Sequence, residues 1–145
     1  MIRIGLAGAV AGMVLAAGLL SPGPAGAETL TYKVQLLPTS EVPPNDTKGS
    51  GTLEATYDTA TKVLTWNAAY SGLSGPASMA HFHGPAAAGV NANPVVPMTG
   101  SLDSPMKGQA TLTDAQAADL MAGKWYYNIH TALNKGGEIR GQVVK

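Results

Sequence analysis

The chain is predicted to be all-β: an antiparallel, Greek-key-like sandwich or barrel with one short connecting helix. Three observations predict this. Gly, Pro, Thr and Val are plentiful while Glu and Lys are sparse, a composition that favours strands and turns over helices. Short segments with period-two alternation recur between turn-forming residues. These segments also follow one another without the strand–helix–strand alternation that a parallel sheet needs.

The elements follow in order. Arg3 supplies a positive start, Ile4 to Leu20 form an uncharged apolar run, and Ser21 to Gly26 break any helix with prolines and glycines. Ala25-Gly26-Ala27 then matches an A-x-A cleavage site, so residues 1–27 read as a signal peptide and Glu28 as the first mature residue. A retained membrane anchor is the competing reading, because the apolar run approaches spanning length. The helix-breaking stretch and the cleavage site favour export, to a periplasmic or extracellular location. Residues 28–145 are the size of one compact domain.

TLTYKVQLL (29–37) alternates Leu30, Tyr32, Val34 and Leu36 with polar partners, as a half-buried strand does. A Pro/Gly/Asn/Asp-rich loop follows, in which Asn45-Asp46-Thr47 reads as a polar turn rather than a glycosylation site. TLEATYD (52–58) and KVLTWNAAY (62–70) flank a short turn as a hairpin, with Leu64, Trp66, Ala68 and Tyr70 on one face. ASMAHFH (77–83) is the next strand. GPAAAGVNANPVVPMTGS after it is a long connector with a brief extended piece at Val95 and Val96, and such segments often pack down over something.

GQATLT (108–113) reads as a strand. Thr113 with Gln116 forms a capping box that opens the one credible helix, whose Leu120 and Met121 face the core and which Gly123 ends. WYYNIHTA (125–132) and EIRGQVV (138–144) bracket a Gly-containing loop as a hairpin. A loop at Leu133 to Gly137 sets Thr131 opposite Ile139 and His130 opposite Arg140. One face then carries Trp125, Tyr127, Ile129, Ile139 and Val143. The other carries Asn128, His130, Glu138, Arg140 and Gln142, a clean division that supports the register.

Composition excludes several chemistries. The chain has no cysteine, hence no disulfide framework and no thiolate ligand. Its basic and acidic residues balance at nine each and form no basic patch, so neither nucleic acid nor an anionic membrane surface is an expected partner. There is no G-x-S-x-G elbow, no H-E-x-x-H helix and no phosphate-cradling glycine motif. No catalytic residues are assigned.

Only three histidines are present, and two form the pair His81-Phe82-His83. In a strand, residues i and i+2 project to the same side, so the two rings emerge together while Phe82 points to the core. His130 falls on the polar face of the C-terminal hairpin. If the two strands are neighbours, His81, His83 and His130 make a three-imidazole metal site with an open fourth position, suited to copper and, second, to zinc. The competing reading is that these rings hold loops and backbone carbonyls in place. Met79 shares the His81/His83 face as a candidate soft ligand. Arg140 either steers an anion to the site or pairs with Glu138 or another surface carboxylate, and the pairing is favoured. Trp66, Trp125, Tyr126 and Tyr127 read as core or girdle aromatics rather than a carbohydrate-stacking face.

Four motifs carry a resemblance: E-V-P-P at 41–44, H-F-H-G-P at 81–85, Y-N-I-H-T at 127–131 and G-G-E-I-R-G-Q at 136–142. Together they resemble the CHRD domain, first noted in the developmental regulator chordin and widespread in exported bacterial proteins. The likeness spans essentially the whole mature chain. Phe82 departs mildly from it, standing where the family usually has an aliphatic residue. The resemblance implies a secreted β-sandwich-like module associated with extracellular binding, and it implies no catalytic residues. A looser likeness is to copper–zinc superoxide dismutase, in the H-x-H at a strand end with a late His and a late Arg. The chain lacks that family's bridging histidine, zinc-ligand loop and disulfide cysteines. Three functions are therefore expected candidates: a copper- or zinc-binding module, a metal-free structural or adhesive envelope module, and a copper-dependent redox enzyme.

Overall fold

The computed structural model of the protein describes residues 26–145. The segment read as a signal peptide falls outside the described residues except for its last two positions. Two four-stranded sheets face each other. The first is built from β1 (Thr29–Leu36), β2 (Ser50–Asp58), β3 (Val63–Ser71) and β6 (Met106–Thr111) in that order. The second has the order β5 (Pro94–Pro97), β4 (Ala77–His83), β7 (Tyr126–Thr131), β8 (Ile139–Gln142). All pairings are antiparallel. The β3–β6 and β4–β7 neighbours are non-consecutive, as a Greek-key-like sandwich requires. A bridge between Leu37 and Arg140 ties the end of β1 to β8 and draws the sheets together at one corner.

Alternation builds the core. β1 buries every second residue, Leu30, Tyr32, Val34 and Leu36, against the second sheet. Leu64, Trp66 and Ala68 are buried along β3, with Tyr70 half-buried at its end. Phe82 is fully buried, with ring centroids 5.1 Å from Trp66, 5.8 Å from Trp125 and 4.8 Å from Tyr127. The proline-bounded β5 sits at a sheet edge, where missing N–H donors are tolerated. The helix α1 (Asp114–Met121) opens on the expected Thr113/Gln116 capping box. It buries Ala117 and Leu120, but Met121 is exposed, contrary to expectation, because the helix packs through a narrow stripe. Among the described residues no helix is long and apolar enough to cross a membrane.

The β7–β8 hairpin departs from the expected register by two residues. Ile129 faces Ile139 and Asn128 faces Arg140. The cause is Glu138, whose side chain leaves the polar face and turns toward Ser74 and Thr131. Its carboxylate accepts bonds from Ser74 N and Oγ, Thr131 Oγ1 and Asn134 Nδ2 at 2.6–3.2 Å. The connection therefore extends from Ala132 to Glu138. A two-residue slip preserves faces, since side chains alternate with period two, so the apolar and polar sides otherwise stand as expected.

Most of the polar side of the second sheet is closed to water, with Met79 and part of His81 left exposed at one end. The connector Gly84–Asn93 lies over it, and β7 is buried at every position. Gln142 Nε2 donates to Ala86 O at 3.0 Å, Arg140 Nη2 to Val90 O at 2.7 Å and Arg140 Nη1 to Asn91 Oδ1 at 2.9 Å. One face of this sheet is thus packed on the core, and the other is covered by the strap except around Met79 and His81.

Candidate metal centre

His81, His83 and His130 come together on the strapped face. β4 and β7 are hydrogen-bonded neighbours, with His81 opposite Asn128 and Met79 opposite His130. His81 Nδ1 lies 3.2 Å from His130 Nε2, and one nitrogen of each of the three rings lies within 4.8 Å of the others. Two imidazole nitrogens bound to one ion at ~2.0–2.1 Å stand about 3.3 Å apart at the tetrahedral angle and at most ~4.2 Å apart. The His81–His130 pair already has that spacing, and a ring movement of at most about 1.5 Å brings the widest gap to it.

Backbone carbonyls orient two of the rings. His83 Nδ1 contacts Ala92 O at 2.9 Å and His130 Nδ1 contacts Lys135 O at 2.9 Å. A carbonyl only accepts, so each Nδ1 carries the proton and each Nε2 keeps its lone pair. His130 Nε2 then accepts from His81 Nδ1–H at 3.2 Å, a proton that must move to His81 Nε2 before Nδ1 can ligate an ion, and His83 Nε2 is buried with no hydrogen-bond partner. His83 also stacks on Tyr126, ring planes 5° apart at 4.7 Å.

All three rings are held neutral. Burial pushes His81 down to about 4, with His130 and His83 adding repulsion. Burial also lowers His83 and His130, outweighing the carbonyl bonds that favour their charged forms. Neutral imidazoles with free lone pairs are what a metal ion requires of its ligands. Among the described residues no carboxylate joins the cluster, a donor set that suits copper or zinc and not calcium or magnesium.

Arg140 does not serve the site as either expectation had it. Its guanidinium is buried, lies 3.3 Å above the Tyr126 ring and is spent on Val90 and Asn91 of the strap. It pairs with neither Glu138 nor a surface carboxylate, because the strap encloses it. Nor is it free to attract an anion. Its charge acts instead on buried Glu41.

Glu41 and Asn128 belong to the surroundings of the site and had no role assigned from sequence. Burial pushes Glu41 up to about 7, against the opposing pull of Arg140, Asn128 and the Val42 amide. The Asn128 amide lies close enough to bias both Glu41 and His83, yet Glu41 Oε1 and Asn128 Oδ1 lack partners in hydrogen-bonding geometry. Gly137, at φ +126°, lets the carboxyl and this amide press against its Cα, where a Cβ would collide with both. That contact explains why E-V-P-P and G-G-E-I-R-G occur as separate motifs: they interlock. The signal available in the sequence was the carboxylate inside a Pro-rich turn motif. The asparagine at 45 forms a polar turn, as expected, with Oδ1 accepting from Thr47 N and Nδ2 donating to Glu138 O.

Glu41 makes a pH prediction. Its folded pKa exceeds the unfolded value, so the neutral carboxyl stabilises the fold below about pH 4.5 and that contribution is lost as pH rises to about 7. The three histidines act oppositely in the same range, because their lowered pKa values make stability fall as pH drops below 6.5 toward 4. Comparison with Glu41→Gln separates the two. Between pH 4.5 and 7.5 the metal-free variant should gain on the wild type by about 2–3 kcal/mol in urea unfolding. A difference independent of pH contradicts a buried, titrating Glu41.

The model of the CHRD domain family matches residues 32–143, which takes in all of β2 to β8, most of β1 and all three histidines. No match was found among curated proteins or among solved structures.

Proposed function

The chain belongs to the CHRD domain family, and from that premise we propose that it is an exported binding module that holds copper through His81, His83 and His130. The signal-peptide features of residues 1–27 support export. One observation carries the metal reading: three neutral imidazoles converge, two of them oriented through Nδ1 by backbone carbonyls, and His83 Nε2 is buried without a partner. Orientation of ligating histidines by a second hydrogen bond is the usual support of a metal site. Imidazole sites rank Cu(II) above Zn(II), so copper is the first choice and zinc the second.

A metal-free structural role is the second reading, favoured by the bonds from His83 to Ala92 O in the strap and from His130 to Lys135 O in the hairpin loop. Calorimetric titration of the purified protein with Cu(II) and Zn(II) separates the two. The proposal expects one ion per chain, bound more tightly for copper. His81→Ala should abolish tight binding with little change in melting temperature, because His81 holds no loop. Absence of stoichiometric binding, or binding unchanged in His81→Ala, favours the structural role. The copper-dependent redox reading loses its anion-attracting arginine to the strap.

A further inference from the structure

Three imidazoles leave a fourth position, and the strap does not cover all sides of it. The connector Gly84–Asn93 is anchored over Arg140, Gln142, Tyr126 and His83. His81, at the other end of the cluster, is only half-buried. The residue beside it there is Met79. It precedes His81 by two on β4, so both side chains leave the same face, and it is the direct cross-strand partner of His130. Directly opposite residues have Cβ atoms about 4.5–5.5 Å apart. The Met79 side chain is therefore the immediate neighbour of two of the three rings.

Met79 also differs from the other methionines in the sheets of the described residues. Met106 is buried, its sulfur accepting from the Tyr127 hydroxyl, and Met98 packs against the core. Met121 is exposed at the end of α1. Met79 is 47% exposed on a sheet face whose neighbours are imidazoles rather than apolar side chains. Packing does not account for a methionine there. A thioether on three rotatable bonds has the freedom to reach an ion held by its neighbours.

We infer that Met79 is the fourth ligand, completing a three-imidazole, one-thioether shell selective for Cu(I). The inference rests on the three-histidine reading and adds the oxidation state of the ion. Thioether sulfur is a soft donor that favours Cu(I), whereas imidazoles alone serve Cu(II) and Zn(II) as well. The shell contains no charged ligand, which suits a monovalent ion.

The test is an anaerobic competition titration of Cu(I) against a chromophoric chelator, for the wild type and Met79→Leu, beside Cu(II) titrations of both. Leucine keeps the bulk of a half-exposed side chain, so the fold is unaffected. The variant should weaken Cu(I) binding by at least the roughly tenfold that loss of even an outer-shell partner costs, and leave Cu(II) binding nearly unchanged. Copper-edge absorption of the Cu(I) protein should show a sulfur scatterer that the variant lacks, replaced by selenium when the protein is made with selenomethionine. Equal Cu(I) affinities, with nitrogen scatterers alone, overturn the role of Met79 and leave the three-histidine site standing. A wild type that binds neither Cu(I) nor Cu(II) overturns both.

Discussion

Replacing Arg140 by alanine is expected to destabilise the protein by about 3–5 kcal/mol, the loss of two charge-assisted hydrogen bonds worth about 1.5–3 kcal/mol each. The guanidinium is buried and gives two hydrogen bonds to the strap at 2.7 and 2.9 Å. It also lies over Tyr126, where a desolvated cation–π contact adds about 2 kcal/mol. Truncation orphans Val90 O and Asn91 Oδ1 and removes the positive charge that opposes protonation of Glu41, whose pKa should rise further. Arg140→Lys keeps the charge but not the planar fork, so its loss should be smaller. Because the strap also carries Ala92 O, the acceptor that orients His83, metal affinity should fall by about 10–100-fold in Arg140→Ala. Urea unfolding and a copper titration of the same variant measure the two effects. Wild-type stability in Arg140→Ala contradicts the account of the strap.

Phe82→Ala is the second large loss, at about 3–5 kcal/mol. The ring has no exposure and is the point where Trp66, Trp125 and Tyr127 meet. Alanine leaves a cavity directly behind the histidine pair, in a core whose surrounding aromatics are themselves tightly held. Phe82→Leu restores most of the volume and should cost about 1 kcal/mol. The comparison is informative because strand alternation makes one residue serve both sides: the backbone that buries Phe82 inward is what presents His81 and His83 outward. Thermal or urea unfolding decides it, and a loss below about 1 kcal/mol for the alanine variant contradicts the packing described.

The parts of the fold that were legible in the sequence rest on local rules. Alternation in Thr29–Leu36 set which residues face inward, and the Thr113/Gln116 pair marked a helix start. The convergence of His81, His83 and His130 was legible for the same reason. It depends only on which face each residue occupies, and faces survive a two-residue error in register. The register itself was not legible, because the hairpin loop is lengthened by Ser74, Thr131 and Asn134 bonding Glu138. Burial raises that carboxyl, and these donors together more than reverse it, so Glu138 stays below the usual carboxylate range. Glu41, equally buried but poorly supplied with donors, goes the other way.

Arg140 shows the limit from another side. A strand residue on a polar face reads as solvent-exposed until a connector is known to lie over it. The position of Gly84–Asn93 is decided by tertiary bonds to Arg140, Gln142 and Tyr126 that no local pattern encodes. Glu41 was hidden likewise, since its neighbours Asn128 and Gly137 come from the far end of the chain. The motifs E-V-P-P and G-G-E-I-R-G were visible as strings; their interlocking was not.

The central claim is that three imidazoles share one copper ion. An anomalous difference map recorded at the copper edge from crystals of the copper-loaded protein tests it most directly. The account predicts a single strong peak ~2.0–2.1 Å from His81 Nδ1, His83 Nε2 and His130 Nε2, with the His83 and His130 Nδ1 bonds to Ala92 O and Lys135 O intact. A peak elsewhere, or none while His81 Nδ1 and His130 Nε2 remain hydrogen-bonded at 3.2 Å, would contradict it.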